Sequence, residues 1–169
     1  AAISANLQTI QDALTAYMQT YSVQPVLPTG GKFYTINNNG NYIQGATTSD
    51  GKIAMSTTNG AAAIFYLDGN HLLSYSNGRY IGLNASDWAF EAVGSNDISE
   101  ITFAVSANAG ECNIKSADRW LHSSDTYVNR CTNNTCGAAH NWAITEVTSL
   151  PVTIGSVGYS TFYAPVAVA

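Results

Sequence analysis

The chain has 169 residues, enough for one medium domain, and 46% of them are apolar, enough to form a hydrophobic core. Charged residues make up only 10%, the net charge is −5, and the six Lys and Arg are scattered; this excludes a typical nucleic-acid-binding protein, because that function rests on cations. The longest apolar run, Ala61 to Leu67, is too short to span a membrane, so no membrane insertion is expected.

Residues 1–22 are predicted to form an amphipathic helix. Apolar side chains recur there at steps of four and three residues, at Ile3, Leu7, Ile10, Leu14, Tyr17 and Tyr21. Pro25, Pro28 and the Gly30-Gly31 pair end the pattern. The favoured interpretation is a helix that packs on its own domain or links it to an upstream domain. The alternative is a dimerising coiled coil, for which three heptads are marginal.

From Lys32 onward the pattern becomes strand-like and repeats itself three times. The phrase NNGNYIQG (residues 38–45) returns as SNGRYIGL (76–83) and, altered, as SADRWLHS (116–123), and its first two copies carry a two-residue Asn-Gly turn signal. The copies are 38 and 40 residues apart, and a second apolar anchor at Ile64, Ile101 and Trp142 recurs after 37 and 41 residues. Two anchors with the same period indicate three structural repeats.

Each repeat contains four strand candidates. They are FYTI, NYIQG, KIAMST and AAIFYLD in the first unit, HLLSYS, RYIGLN, WAFEAV and EITFAVSA in the second, and ECNIKS, RWLHSS, TYVNRC and NWAITEV in the third. One such unit cannot bury its own apolar face, whereas three units around a common axis close a barrel. A propeller usually needs at least four blades. The sequence therefore predicts an all-β protein, a β-trefoil of three four-stranded repeats.

The stretch YVNRCTNNTCGAAHNWAI (residues 127–144) resembles the part of ricin B-type β-trefoil lectins that ends in a Gln-x-Trp signature. His140-Asn141-Trp142 stands in place of that signature, and Ile64 and Ile101 replace the Trp in the other units. The resemblance covers about residues 32–148 and implies a trefoil that binds sugars. In the family an Asp near the start of the second strand binds sugar hydroxyls; the matching positions here hold Gln44, Gly82 and His122.

The predicted organisation has three parts: a helix and linker in residues 1–31, the trefoil in 32–148, and an extended β tail in 149–169. The tail resembles the segment that follows such repeats in multidomain secreted proteins of Bacteroidetes, and we interpret it as the start of a next module. A secreted, periplasmic or cell-surface location is expected, with neighbouring domains of the same chain as partners.

The chain has three cysteines, which are expected to form a disulfide or to remain free thiols. Cys131 and Cys136 flank the short segment TNNT, which a disulfide could close, while Cys112 is expected to face inward as a free thiol. The resemblance to the lectins implies an alternative bond between Cys112 and Cys131. Cys131, Cys136 and His140 form a zinc pattern that lacks a fourth ligand, so neither a metal nor a cofactor is expected.

No catalytic motif is found, so this segment is not expected to be an enzyme. A sugar site needs an exposed aromatic ring beside short polar groups. The third unit offers such a set, with Tyr127 as the stacking ring and with His122, Asn129, Asn133 and Asn134. Trp88 in the second unit is the rival, and Trp120 and Trp142 are interpreted as core residues.

The favoured function is a non-catalytic carbohydrate-binding module of a larger secreted or cell-surface protein, one that processes glycans, with a glycan or oligosaccharide as a weakly bound partner. The alternative is a structural or protein-interaction spacer that kept the trefoil and lost its sugar pockets. A trefoil protease inhibitor is a weaker alternative, because no loop stands out as a rigid bait carrying Arg or Lys.

Overall fold

A computed structural model of the chain describes residues 2–20, 27–84, 87–89, 98–131 and 137–151. Within these ranges there is one helix, α1 (Ala2–Thr20), two 3-10 turns (Ala61–Ala63 and Gly137–His140) and twelve strands. The strands are β1 (Phe33–Asn38), β2 (Asn41–Thr47), β3 (Ile53–Ser56), β4 (Ile64–Asp68), β5 (His71–Ser74), β6 (Gly82–Asn84), β7 (Asp87–Ala89), β8 (Thr102–Val105), β9 (Glu111–Ser116), β10 (Arg119–Ser123), β11 (Val128–Cys131) and β12 (Trp142–Glu146).

The first and fourth strands of each unit form a nearly closed barrel. β1 pairs antiparallel with both β4 and β12, and β4 pairs with β5. On the other side β9 pairs with both β8 and β12. Between β5 and β8 the barrel is joined just before each strand, where the Ile101 N–H donates to the Asn70 carbonyl at 2.8 Å. Near closure leaves few open sheet edges.

The second and third strands of each unit form a hairpin, and the three hairpins meet at one end of the barrel. The hairpins are β2–β3, β6–β7 and β10–β11. Ala54 on β3 pairs with Tyr127, the Met55 N–H donates to the Thr126 carbonyl at 2.8 Å, and β7 packs against β11. This arrangement is a β-trefoil preceded by a helix, which confirms the predicted fold class.

The core is built from equivalent positions of the three units. The predicted anchors Ile64, Ile101 and Trp142 are buried, with exposed fractions of 5%, 2% and 0%. Two further sets of three are buried with them: Ile43, Ile81 and Leu121 on the second strands, and Ile36, Leu72 and Ile114 on the first strands. The Trp142 indole N–H donates to the Leu121 carbonyl at 3.2 Å, which satisfies the only polar atom of a fully buried ring.

The hairpin turn of the second unit is longer than predicted. In the first unit Asn38 pairs with Asn41, and Asn39 and Gly40 form a two-residue turn with φ of 49° and 79°. In the second unit the Ser74 N–H donates to the Arg79 carbonyl, so that residues 75–78 form the turn and Asn77-Gly78 is not a two-residue hairpin. The Asn77 amide donates to the Gly45 carbonyl at 2.7 Å and anchors this longer turn on the first unit.

The four apolar side chains of the α1 stripe that the structure describes do not pack on the trefoil, which contradicts that part of the favoured interpretation for them. Ile3, Leu7, Ile10 and Leu14 are 77%, 56%, 64% and 56% exposed. A link to an upstream domain and a coiled coil stay as predictions. No helix within the described ranges is long and apolar enough to cross a membrane.

Cys112 is buried and free, as expected, and its burial raises the pKa of its thiol. Cys131 is disulfide-bonded, and since Cys112 is free, the alternative bond between Cys112 and Cys131 is excluded. Cys136 lies outside the described residues, as do residues 152–169 of the predicted tail.

Candidate functional site

The outer face of the β10–β11 hairpin carries the predicted site residues that can be located. His122 lies directly opposite Asn129 in the register of the two strands. Leu121, Ser123 and Val128 are buried on the inner face, so strand alternation places His122 and Asn129 on the outer face, where both are half-buried. Tyr127, two residues before Asn129, belongs to the same face and is also half-buried.

The remaining predicted residues are Asn133, Asn134 and Trp88. Asn133 and Asn134 lie outside the described residues. Trp88 lies on β7 opposite Leu83, and β7 packs against β11, which brings the rival position into the same part of the molecule. The assignment of the site to these residues stays a prediction.

Only one polar atom of each side chain in the His122–Asn129 pair forms a hydrogen bond with described residues. Ser124 Oγ lies 3.4 Å from His122 Nδ1, and Asn129 Oδ1 accepts from the Arg130 N–H at 2.8 Å. Within the described part of the chain, no hydrogen bond reaches His122 Nε2 or Asn129 Nδ2. Two nitrogen atoms on the outer face are therefore available to a ligand.

Lys52 limits the role of Tyr127. The Lys52 ammonium lies 4.3 Å from the centre of the Tyr127 ring, and it also lies 3.3 Å from Asp50 Oδ2. A cation over the ring occupies one of its faces, so a sugar could stack only on the other. The reason lies in the fold, since Ala54, shortly after Lys52, pairs with Tyr127 across the junction of two units.

Trp120 is a candidate that sequence reasoning missed. It was interpreted as a core residue, but it is half-buried on the outer face, whereas Trp142 is fully buried. The centre of its ring lies 5.6 Å from the Lys115 ammonium nitrogen and 6.5 Å from the centre of the His140 ring. The sequence contained a signal for this position: if Leu121 faces the core, strand alternation places Trp120, the residue before it, on the outer face.

His140, the last residue of the 3-10 turn Gly137–His140, lies beside Trp120 on this face. Asn113 Nδ2 donates to the His140 carbonyl at 2.9 Å, and Asn38 Nδ2 donates to the Ala138 carbonyl at 3.0 Å, so the turn is held by two units. Burial, and to a lesser extent the nearby His140 ring, lowers the pKa of His122 below its ordinary value. No group of three or more His, Cys, Asp or Glu within the described ranges could hold a metal ion.

The equivalent positions in the other two units offer no open side chain. Gln44 is buried, and its amide nitrogen donates to the carbonyls of Tyr42 and Thr58, both at 3.1 Å. Gly82 has no side chain. Of the three positions that the repeat relates, His122 alone presents a polar group to solvent.

The chain matches no family model and no curated protein. Solved structures do match. The BEL β-trefoil in an apo crystal form has 18% identity and a TM-score of 0.55 over 74% of this chain and 100% of its own. A GlcNAcα1-4Gal-releasing endo-β-galactosidase from Clostridium perfringens has 13% identity and a TM-score of 0.56 over 69% of this chain and 33% of its own.

Cry35Ab1 has 17% identity and a TM-score of 0.53 over 78% of this chain and 39% of its own. The chain thus spans only about a third of the galactosidase and two fifths of Cry35Ab1. At these identities the likeness shows the β-trefoil fold alone.

Proposed function

We propose that this domain is a non-catalytic carbohydrate-binding module whose site is the outer face of the third-unit hairpin. One observation carries the proposal: the His122–Asn129 pair on the outer face has two nitrogen atoms without a hydrogen-bond partner in the described part of the chain, and it lies between two half-buried aromatic residues, Trp120 and Tyr127. Asn133, Asn134 and Trp88 belong to the proposal as neighbours whose contribution the experiment below decides.

The chemistry of a sugar fits this face. A pyranose has an apolar side that packs on an aromatic ring and a rim of hydroxyl groups that need short polar partners. The His122–Asn129 pair lies between Trp120 and Tyr127 along the hairpin. The two aromatic residues are four residue steps apart, which corresponds to about 13 Å in a strand. A sugar over the central pair can therefore contact a ring and both nitrogen atoms together.

The comparison with the endo-β-galactosidase supports a modular setting. The matching part is a third of an endo-β-galactosidase that, by its name, releases GlcNAcα1-4Gal. We place this trefoil in a larger secreted or cell-surface glycan-processing protein, with residues 32–148 as the binding module and residues 149–169 as the start of the next one. The resemblance to multidomain secreted proteins of Bacteroidetes points the same way.

A structural or protein-interaction spacer is the second candidate. This function is favoured because two of the three equivalent positions offer no polar group to a ligand. The buried Gln44 amide donates to carbonyls of the protein itself, and Gly82 has no side chain. A spacer would keep the buried core of all three units and would bind no sugar.

A glycan array followed by titration separates the two candidates. We expect weak binding, about millimolar or about −4 kcal/mol, as for a shallow site. His122→Ala should weaken it about fivefold, the equivalent of one hydrogen bond of about 1 kcal/mol. His71→Ala in the second unit is the matched control, because His71 is also half-buried.

Two outcomes would change the assignment. If Trp88→Ala abolishes binding and His122→Ala and Tyr127→Ala leave it intact, the site lies in the second unit. If no glycan binds the unmodified protein at about 10 mM, ten times the expected dissociation constant, the spacer is the correct function.

A further inference from the structure

Basic side chains are gathered on the outer face of the third unit, although the chain as a whole has a net charge of −5. Lys115 lies opposite Trp120 in the register of β9 and β10, so both residues belong to this face. His122 and His140 lie beside them, and Lys52 lies over Tyr127 at the far end. Two of the six Lys and Arg and two of the three His therefore border one small surface.

The polar atoms of this surface are donors. Asn129 Oδ1 already accepts a backbone hydrogen bond, which leaves the Nδ2 amide to point outward as a donor. The Ser124 hydroxyl can donate to His122 Nδ1, and the ring proton then lies on Nε2. The Lys115 ammonium can only donate. A ligand group made only of acceptor atoms, such as a carboxylate or a sulfate, complements such a set.

Acidic side chains lie at the edges of this surface. No outward position of β10 or β11 holds Asp or Glu. Asp118 is in the turn before β10, 3.4 Å from Arg119 Nε, and the exposed Asp125 is in the turn after it. Glu111 shares the outer side of β9, four residues from Lys115, and its Oε2 accepts from Asn108 Nδ2 at 2.8 Å. Asp87 lies on β7, which packs against β11.

The cation is specific to the third unit. The residue opposite the outer aromatic is Lys115 for Trp120, but it is Asn37 for Tyr42 and Leu73 for Tyr80. The three residue pairs have equivalent places in the trefoil, so they differ in side-chain chemistry. Only the third unit combines the cation with an open polar position at His122.

We propose that the third-unit face selects a saccharide bearing an anionic group, a uronic acid or a sulfated sugar, through Lys115, His122 and Asn129. This inference rests on the proposed carbohydrate-binding function and names its substrate class. The ring of the sugar packs beside Trp120, and its carboxylate or sulfate lies between the Lys115 ammonium and the imidazole. The two anionic groups share one chemistry, and the experiment distinguishes them.

The test titrates three sugars that differ only at C6, galactose, galacturonate and galactose 6-sulfate, into the protein and follows binding by NMR or calorimetry. We expect at least one anionic sugar to bind about fivefold more tightly than galactose, the equivalent of an exposed ion pair of about 1 kcal/mol. High salt should shrink this preference, because exposed charges are screened.

Two charge-removing variants locate the effect. Lys115→Met should abolish the anionic preference, and Arg79→Gln, which removes an exposed cation from the second unit, should leave it intact. If both variants fold and both keep the preference, Lys115 is not the selecting group and the inference fails.

The remaining outcomes separate the inference from the function on which it rests. If galactose and the two anionic sugars bind with equal affinity, the anionic preference is wrong and the carbohydrate-binding function stands. If none of them binds while a neutral glycan on the array binds at His122, the preference is again wrong. If no glycan binds at all, the proposed function fails, and the inference fails with it.

Discussion

The hairpins of the first and third units have the same place in the trefoil but opposite surfaces. In β10 the residues alternate, so Leu121 and Ser123 are buried and His122 faces outward. In β2 the register shifts between Ile43 and Thr47, and three successive residues, Ile43, Gln44 and Gly45, are buried. The residue equivalent to His122 is therefore buried at an irregularity of the strand pairing.

The reason for this difference lies in the neighbouring unit. Gly45 lies against the turn of the second unit, since a Cβ built on it would lie 2.1 Å from Ser74 Oγ. Asn77 from the same turn donates to the Gly45 carbonyl. The comparison teaches that the core repeats because every unit must fill the same interior, whereas the outer surface depends on what the adjacent unit places against it.

The largest expected effect tests the shared interior. Ile36 and Ile114 are equivalent, fully buried residues of the first and third units. Ile36→Ala and Ile114→Ala should each lower the free energy of unfolding by about 2–5 kcal/mol, since each leaves a cavity in the core. Urea unfolding measures both. A loss below about 1 kcal/mol for either variant would show that the units do not share one core equally.

The next pair tests the irregularity in β2. Gly45→Ala should cost about 1–3 kcal/mol, because the new methyl group overlaps the Ser74 side chain. Ser123, the equivalent residue of the third unit, carries a buried hydroxyl without a hydrogen-bond partner in the described part of the chain. Ser123→Ala should leave stability unchanged or raise it by up to about 1 kcal/mol, because it removes an unsatisfied polar group.

Thermal or urea unfolding of these two variants gives the comparison directly. Equal losses for Gly45→Ala and Ser123→Ala would mean that the two hairpins are packed alike and that the register shift has no consequence for stability.

A third pair of variants compares the buried Gln44 amide with the outward-facing His122 imidazole. Gln44→Ala should lower the free energy of unfolding by about 1–3 kcal/mol, since the carbonyls of Tyr42 and Thr58 lose their donor in a buried place. His122→Ala should change stability by less than about 0.5 kcal/mol, as is usual for a surface position, while it weakens sugar binding. The reverse pattern of stability losses would overturn the assignment of inner and outer positions.

The smallest effect concerns pH. The pKa of His122 is lowered from its ordinary value of 6.5, first by burial and then by His140, so the unfolded chain takes up the proton more readily than the folded one. This contribution to stability is complete above about pH 6.5 and is lost as pH falls through the lower pKa of the folded state.

Unfolding measured at a series of pH values should therefore show a steeper loss of stability on acidification in the unmodified protein than in His122→Asn. NMR titration of the His122 ring gives its pKa directly. A pKa above 6.5 for the folded protein would contradict the expected direction.

Much of the fold followed from local patterns. The strand candidates of the first and third units correspond closely to β1–β4 and β9–β12, because alternation and turn residues act over short distances. The anchors Ile64, Ile101 and Trp142 were found from their spacing, and each is buried. His122, Tyr127 and Asn129 lie on one hairpin, as their closeness in the sequence indicated, and their role in a sugar site stays a prediction.

The sequence by itself thus determined the three repeats, their inner faces and the hairpin that carries the candidate site, because each of these depends on residues close together in the chain. Tertiary structure alone decided that Lys52 covers one side of Tyr127, that the Thr58 carbonyl accepts from the Gln44 amide, and that Gly45 lies against Ser74. It also left Ile3, Leu7, Ile10 and Leu14 of α1 exposed. These outcomes depend on contacts between segments whose approach no local pattern encodes, since alternation tells which side a residue faces and not what lies against that side.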